Sequence, residues 1–407
     1  MARTLGFVLF LSLWTALSFV GCRNVGGAAS GEGDSGADAD ADSDADTDTY
    51  TDADTDTDSD SDSDSDVDDP NDDDDGDGYT PLEGDCDDDD PNVNPDAIEV
   101  IVDAPYADGG LPDPVDEDCD GTIDNPPGPC DEGIALEDVD PLNGARVIEL
   151  CKTASLDGTD WGVVGAAYVR ANGDAITNTS WPQIGVQTNF GTHVAPTNGY
   201  NLLVLSSGHA RTPGQPESCD SQSCNEVGPG AAPPGFPQDV PGCEGGMNIN
   251  DDVGFELALR APSNAVGFRF KLRFYSFEYP EWVCTTFNDQ LIALVDPEPD
   301  GSINGNVSFD SAGYPVSVNT LFITTCADCP DGTEDLEETG FDIWGDSGAT
   351  SWIQTTVPIG GGDEFTIRFA IWDTGDAVVD STALIDGFEW IAAAGAPAVE
   401  TVPFVSE

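Results

Sequence analysis

The stretch VGFRFKLRF, residues 266–274, is the part of this sequence that points most directly to a fold. Its apolar side chains, Val266, Phe268, Phe270, Leu272 and Phe274, alternate with a glycine and three basic residues. Successive side chains of a β-strand point to opposite faces of the sheet, so this alternation places the apolar residues on one buried face. The pattern predicts a strand whose sheet packs against a second layer.

The sequence around this stretch contains more segments of the same kind. Phe365, Ile367, Phe369 and Ile371 repeat the alternation, and other apolar segments rich in β-formers cover residues 161–171, 200–206, 253–260, 287–295 and 383–390. Glycine and proline separate these segments, as in all-β domains. The sequence therefore predicts an antiparallel β-sandwich, jelly-roll or concanavalin-like, over residues 131–396, followed by a flexible tail at 397–407.

Ahead of the predicted sandwich, Asp140 and Pro141 are typical of a helix start, with the aspartate as cap and the proline in the first turn. We expect a short helix that ends by Cys151, and a bridge from Cys130 to Cys151 could hold it in place. The chain has 11 cysteines, one of them in the export signal. The remaining even number is typical of disulfides formed in an oxidising compartment.

The charge is concentrated in one segment. The formal net charge is −69, from 80 acidic and 11 basic residues, and 22 aspartates lie between Asp34 and Asp77 with no lysine or arginine. This balance excludes ordinary nucleic-acid binding, which needs a cationic surface. Residues 23–72, mostly aspartate alternating with small residues, cannot bury a core and are predicted to form a disordered tether. A weak calcium store is the alternative role for this tether.

The first 22 residues are typical of an export signal. Arg3 precedes an apolar run from Leu5 to Val20, and the run ends in Phe19-Val20-Gly21-Cys22. This ending resembles a bacterial lipobox, which predicts that Cys22 carries the lipid of an outer-membrane, surface-exposed lipoprotein. The alternative is an ordinary signal peptide and a secreted protein.

Two aspartate loops with calcium-ligand spacing occupy residues 73–125. The first has Asp73, Asp75 and Asp77 before Gly78, and the second has Asp116, Asp118 and Asp120 before Gly121. Alternate carboxylates can turn towards one ion while the glycine makes the sharp turn. The predicted Ca²⁺ ligands are Asp73, Asp75, Asp77, the Tyr79 carbonyl, Asp85, Asp87, Asp116, Asp118, Asp120 and Asp124. A pair between Cys86 and Cys119 would hold the loops together, whereas the alternative is that these aspartates extend the acidic linker.

The runs GDGYTPLEGDCDDDDPNVNPDAIEV (76–100) and DPVDEDCDGTIDN (113–125) resemble the metal-binding motif of the MopE family and the thrombospondin type 3 repeats. That family usually has a third cysteine where this chain has Ile101. Some of its members are associated with copper. The loops offer oxygen ligands and no histidine, which favours calcium.

The run SFEYPEWVCTTFND (276–289) resembles the signature of the choice-of-anchor L family, with Phe277 in place of an acidic residue. The run FAIWDTGDAVVDSTALIDGFEW (369–390) agrees with this resemblance. The resemblance implies an extracellular β domain without an assigned activity.

Acidic and amide residues interrupt these otherwise apolar strands. Because a buried carboxylate is unfavourable unless paired or metal-bound, they predict a possible second metal site formed by Glu278, Asn288, Asp289, Asp380 and Asp386. Asp373 and Asp376 are further candidates. The alternative is that all of these side chains are exposed at loop ends.

No recognisable catalytic set is present, so the sequence favours a binding protein over an enzyme. Glu278 and Glu281 could form the carboxylate pair of a glycosidase, which keeps a secreted hydrolase as the alternative. Cys326 and Cys329 have redox-type spacing but lie in a loop-like segment, which predicts a structural disulfide. The expected function is calcium-dependent binding of a glycan, matrix polymer or protein, with Trp181, Trp344 and Trp352 as candidate sugar contacts. A purely structural envelope protein is a further alternative.

Overall fold

The computed structural model of the chain describes residues 69–100, 114–125, 127–156, 158–176, 182–219, 221–224, 227–392 and 397–405. The export signal with Cys22, the tether up to residue 68, and Trp181 lie outside these residues. The elements of the described part are, in chain order, helix α1 (Pro141–Val147) and strands β1 (Gly162–Val169), β2 (Ile184–Gln187), β3 (Leu202–Ser206), β4 (Ile249–Arg260), β5 (Gly267–Ser276), β6 (Gln290–Asp296), β7 (Val316–Ser317), β8 (Ile323–Thr325), β9 (Gly348–Thr350), β10 (Ile353–Pro358), β11 (Glu364–Thr374), β12 (Ser381–Ile391) and β13 (Glu400–Pro403).

The strands form two antiparallel sheets, which confirms the predicted β-sandwich. One sheet has the order β1-β4-β11-β6-β7, and the other has the order β13-β10-β5-β12-β3-β2. Strand β9 also pairs with β5, and β8 pairs with β9. The second sheet therefore has the strand of residues 266–274 near its centre.

The core lies between the two sheets, where the apolar faces of β5 and β11 meet. Phe268 of β5 stacks on Phe365 of β11 with 5.0 Å between ring centroids, and Phe270 meets Phe369 edge-on at the same separation. All four phenylalanines are at most 3% exposed. The alternation in the sequence therefore identified the inward faces of both strands correctly.

Helix α1 begins as predicted. Asp140 accepts a hydrogen bond from the Leu142 amide at 3.0 Å, and Pro141 occupies the first turn. Disulfides join Cys130 to Cys151, Cys86 to Cys119 and Cys326 to Cys329, the three pairs expected from the sequence. Two more disulfides join Cys219 to Cys224 and Cys243 to Cys284, a pairing that the sequence left open.

The prediction of a flexible tail at 397–407 is wrong for residues 400–403. These residues form β13, which pairs with β10 along residues 353–356. Thr401 is buried, and its hydroxyl lies 3.0 Å from that of Thr355. The short polar segment ETVP carries little periodicity, so its role as an edge strand depends on the exposed edge of β10.

A second apolar cluster covers the outer face of the second sheet. Leu336 and Phe341, from the connection between β8 and β9, pack with Tyr275 and Phe277 near the end of β5. The same connection supplies Asp335, which pairs with Arg273 at 2.6 Å. Arg273 is therefore buried and does not lie on a solvent face, although the alternation of residues 266–274 placed it there.

Candidate cation sites

The first aspartate loop wraps around its own carboxylates. Asp73 accepts hydrogen bonds from the amides of Gly76 at 2.7 Å and Gly78 at 3.1 Å. Both glycines have positive φ, 82° and 99°, a backbone conformation that favours glycine. Oxygens of Asp73, Asp75 and Asp77 lie within 4.8 Å of one another. The loop therefore gathers three hard ligands at one point.

Three carboxylate oxygens of this loop are buried without a hydrogen-bond partner. They are Oδ2 of Asp75, Oδ2 of Asp77 and Oδ2 of Asp85. Asp85 is 7% exposed, and its other oxygen accepts the Asp87 amide at 2.9 Å. Burial raises the pKa of Asp77 and of Asp85, and the neighbouring Asp75 adds to both shifts. A buried carboxylate oxygen without a donor is unfavourable unless a cation or proton neutralises it.

The second loop gathers its ligands in the same way, with one addition from outside the motif. Asp116 accepts the amides of Asp120 at 3.1 Å and Gly121 at 2.9 Å. Oxygens of Asp116, Asp118 and Glu99 lie within 4.8 Å of one another. Glu99 Oε1 is buried without a partner, and burial raises the Glu99 pKa to about 7.

Glu99 was absent from the predicted ligand set. In the sequence, Glu99 is marked only by its position between two apolar residues, Ile98 and Val100. Such a residue is drawn towards the interior by its neighbours and needs a counter-charge there. The motif spacing alone could not identify it, since it is 17 residues before Asp116.

The remaining predicted loop ligands lie around these two centres. The Asp87 and Asp120 side chains are exposed, and Asp120 accepts a hydrogen bond from the Asn125 side chain at 2.9 Å. The Asp124 amide donates to Glu99 Oε2 at 2.8 Å, and the Tyr79 hydroxyl donates to Asp96. These contacts support the loop framework, and the gathered oxygens belong to Asp73, Asp75, Asp77, Glu99, Asp116 and Asp118.

The loop module is attached to the sandwich through the turn between β4 and β5. The Ile98 amide donates to the Asn264 side chain at 3.0 Å, and Asn264 donates back to the Ile98 carbonyl at 2.8 Å. Ser263 donates to Asn94 at 2.8 Å. Glu99 follows Ile98 directly, so the carboxylates gathered at the second loop lie close to this junction.

Some of the acidic residues that interrupt the apolar strands form a separate cluster of buried carboxylates. Glu278, Asp289, Asp373 and Asp380 are 2%, 0%, 2% and 6% exposed. Asp289 accepts hydrogen bonds from the Thr374 amide at 2.8 Å and the Ser381 hydroxyl at 2.6 Å. We call these four side chains the acidic cluster.

The charges of the acidic cluster act on one another. Burial is the first cause that raises the pKa of Asp289 to about 7 and that of Asp380 to about 8. Burial is the largest cause, and the charge of Asp289 the next, that raise the pKa of Glu278 and the pKa of Asp373 well above their usual ranges. Neither oxygen of Asp373 has a hydrogen-bond partner. The cluster therefore requires protons or a cation for neutrality.

The structure brings together only part of the predicted second metal site. Glu278, Asp289 and Asp380 meet, and Asp373 joins them from β11. Asn288 faces away and accepts the Asn319 amide at 3.3 Å. Asp386 also lies elsewhere, because it pairs with Lys271 five residues along β12 from Ser381 and accepts a hydrogen bond from Thr197. The hydrogen bonds of Asn288 and Asp386 are therefore to Asn319 and Thr197 rather than to the acidic cluster.

The residues of the other functional hypotheses lie in different environments. Glu281 is exposed whereas Glu278 is buried, so the structure separates the two in environment. Trp344 is 50% exposed, and Trp352 is partly buried against the second apolar cluster. Trp282, which the sequence analysis did not select, is 43% exposed.

Residues 164–388 match the family model of the choice-of-anchor L domain. This chain belongs to the choice-of-anchor L domain family. The matched range begins within β1, ends within β12 and includes the whole acidic cluster. No curated protein matches the chain significantly.

Domains of the choice-of-anchor L family are typically associated with the cell surface, which agrees with the predicted surface β-sandwich. In the part of the chain that the structure describes, no helix combines the length and apolarity needed to cross a bilayer.

Proposed function

We propose that this choice-of-anchor L protein is a calcium-binding module of a bacterial cell surface, held to the outer membrane by a lipid on Cys22. Its sandwich binds a glycan, a matrix polymer or another protein, and it works by binding rather than by catalysis. The aspartate loops stiffen the junction between tether and sandwich when they bind Ca²⁺. Ion binding then controls how the binding surface is presented.

The observation that carries the calcium proposal is the set of unpartnered oxygens on Asp75, Asp77 and Asp85. A loop in an ordinary acidic linker would expose its carboxylates to water. Here backbone amides satisfy one side of each carboxylate and leave the other facing its neighbours. Hard oxygen ligands without histidine or free thiolate favour Ca²⁺ over transition metals.

The acidic cluster supports a second cation site within the sandwich. Its four carboxylates come from segments up to about a hundred residues apart in the sequence, and Asp373 faces the others with two unpartnered oxygens. A single divalent ion would offset the repulsion and the burial of these charges. Its oxygens are more widely spaced than those of the two loops, whose ligand oxygens lie within 4.8 Å. Ion binding would therefore draw the side chains together.

We expect Asp85→Asn to weaken calcium binding at the first loop by at least tenfold, because it removes a buried ligand charge while preserving the size of the side chain. Isothermal titration calorimetry of the chelator-treated protein measures this effect. The matched control is Asp89→Asn, which neutralises an exposed aspartate four residues away. Equal affinities for the wild type, Asp85→Asn and Asp89→Asn would contradict the assignment.

We expect mass spectrometry of membrane fractions to find the wild-type protein acylated and the Cys22→Ala variant unmodified and released. The variant retains the apolar export run, so loss of the lipid separates anchoring from export. A wild-type chain without acyl groups would refute the lipid anchor and favour a secreted protein. That result would leave the calcium proposal intact.

A further inference from the structure

Three further carboxylates lie near one another where the end of helix α1 approaches strand β12, apart from the aspartate loops and the acidic cluster. They belong to Asp131, Glu149 and Asp386. Asp131 is 1% exposed, Asp386 is 0% exposed and Glu149 is half-buried. None of these side chains forms an ion pair within 4.0 Å among the described residues.

Each carboxylate has one oxygen held by protein donors and one oxygen without a partner. Asp131 Oδ2 accepts the Tyr200 amide at 2.9 Å, Glu149 Oε2 accepts the Gly387 amide at 2.9 Å, and Asp386 Oδ2 accepts the Thr197 hydroxyl at 2.7 Å. The unpartnered atoms are Asp131 Oδ1, Glu149 Oε1 and Asp386 Oδ1, and all three are buried. Such an arrangement orients a carboxylate while leaving one lone-pair face for an ion.

The free oxygens of Glu149 and Asp131 face a common space beside residues 197–201, and the charge of Asp386 acts on Glu149 from nearby. Thr197 binds Asp386, and Tyr200 binds Asp131, so this short loop passes both side chains. A methyl group placed on Gly199 would lie 2.8 Å from Glu149 Oε1 and 3.0 Å from Asp131 Oδ1. Glycine at this position, with φ of 60°, leaves the space in front of both oxygens open.

Covalent and backbone constraints hold the three residues in place. The Cys130–Cys151 disulfide lies next to Asp131 on one side and two residues from Glu149 on the other. The register of β12 against β5 shifts between Asp386 and Glu389, and the Phe388 amide donates to the Ile148 carbonyl at 3.1 Å. The register is regular as far as Asp386, so its pairing with Lys271 fixes the position of this residue.

The charge balance at this point calls for a divalent cation. Lys271 is the basic side chain that interacts with both Glu149 and Asp386, and it also lies 4.2 Å from the centre of the Phe404 ring. One ammonium against three carboxylates leaves two negative charges.

We propose that Asp131, Glu149 and Asp386 bind one Ca²⁺ ion, which fastens the loop 197–201 and the end of α1 to strand β12. The three carboxylates supply hard oxygen ligands, and two positive charges balance the excess left by Lys271. Glu149 and Asn198 also line a cavity of about 300 Å³ next to Trp161 and Trp390. This site is independent of the aspartate loops and of the proposed function.

The test is a calcium titration by calorimetry on the chelator-treated full-length protein, in high salt to screen weak binding to the acidic tract. Asp386→Asn and Asp131→Asn are each expected to bind one calcium equivalent fewer than the wild type. Glu132→Gln, which neutralises the exposed neighbour of Asp131, is the matched control and is expected to retain the wild-type number. Asp85→Asn in the first loop is expected to leave this equivalent in place.

Folding of each variant is checked by circular dichroism and by its melting temperature in chelator. Removal of one of three mutually repelling carboxylates is expected to leave that temperature unchanged or higher. If an aspartate variant does not fold, Glu149→Gln is used instead, because Glu149 is only half-buried. This variant is also expected to bind one calcium equivalent fewer than the wild type. Retention of the wild-type calcium number and of the calcium-dependent rise in melting temperature by the folded variants would overturn the proposal.

Discussion

In the presence of a chelator, the protein is expected to lose stability steadily as the pH rises from about 4 to about 8. The reason lies in the acidic cluster, whose carboxyl groups have a higher pKa in the folded protein than in the unfolded chain. Asp289 is raised from 3.8 to about 7 and Asp380 from 3.8 to about 8, with burial as the first cause. The pKa of Asp386 is raised to about 6 and that of Glu149 to about 9, so both groups change the stability in the same direction.

The sign follows from proton binding. Below pH 4 these groups are protonated in both states, so the folded protein retains their full contribution. Between the unfolded and folded pKa values only the native state holds the protons, and each unit of rising pH then favours unfolding. One pKa unit corresponds to about 1.4 kcal/mol per group, so four groups shifted in the same direction make the stability fall steeply with pH. For a domain of this size, each kcal/mol shifts the melting temperature by about 2–4 °C.

The measurement is a series of thermal unfolding curves from pH 4 to pH 8, with chelator and with saturating Ca²⁺. Calcium binds the ionised carboxylates, so it is expected to add most stability at the high end and to flatten the curve. Asp380→Asn is expected to reduce the slope in chelator, whereas the exposed control Asp328→Asn leaves it unchanged. A flat or rising stability between pH 4 and pH 8 in chelator would contradict the burial of these groups.

Much of the sandwich could be predicted from the sequence because its central strands have one apolar face. Phe268 and Phe270 alternate with basic residues, and Phe365 and Phe369 do the same in the strand that packs on them. Two-residue periodicity reports a face buried against a second sheet, and it identified both strands to within a few residues. Strands β2, β7, β8, β9, β10 and β13 lie outside the predicted segments; each has six residues or fewer, too short for the periodicity to identify it.

Two-residue periodicity did not predict the position of the Arg273 side chain. Its position in the alternation indicates a solvent-facing side chain, yet the connection between β8 and β9 covers it and supplies Asp335 as its partner. Whether a loop folds over the outer face of a sheet depends on tertiary contacts such as those of Leu336 and Phe341, and local periodicity contains no information about them.

The candidate cation sites also differ in how far the sequence predicts them. The aspartate loops were predictable as ligand sources because spacing within one short segment determines which carboxylates can meet. Glu99 was not, since its approach depends on how residues before the second loop pack. Asp386 and Asp289 both interrupt apolar segments, but Asp386 pairs with Lys271 and contacts Thr197, far along β12 from Ser381, which contacts Asp289. Which carboxylates come together is set by strand pairing rather than by composition.

Asp373→Asn is expected to raise the melting temperature in chelator and to reduce the further rise that calcium produces. Asp373 is 2% exposed and neither of its oxygens has a hydrogen-bond partner, so the charged form is strongly disfavoured in the ion-free protein. Asparagine keeps the size of the side chain and removes the repulsion from Asp289 and Asp380. The same change removes a ligand charge, so the cation should bind this variant more weakly.

Opposite effects in the two conditions distinguish a cation ligand from a residue that only supports the fold. A supporting role would make Asp373→Asn destabilising by a similar amount with and without calcium, because the lost contact would not depend on an ion. The measurement is thermal unfolding of the wild type, Asp373→Asn and the exposed control Asp328→Asn in chelator and in calcium. A calcium-dependent rise in Asp373→Asn equal to that of the wild type would rule out cation binding by Asp373. Because the aspartate loops are unchanged in this variant, any calcium response that remains is assigned to them and to the site at Asp131, Glu149 and Asp386.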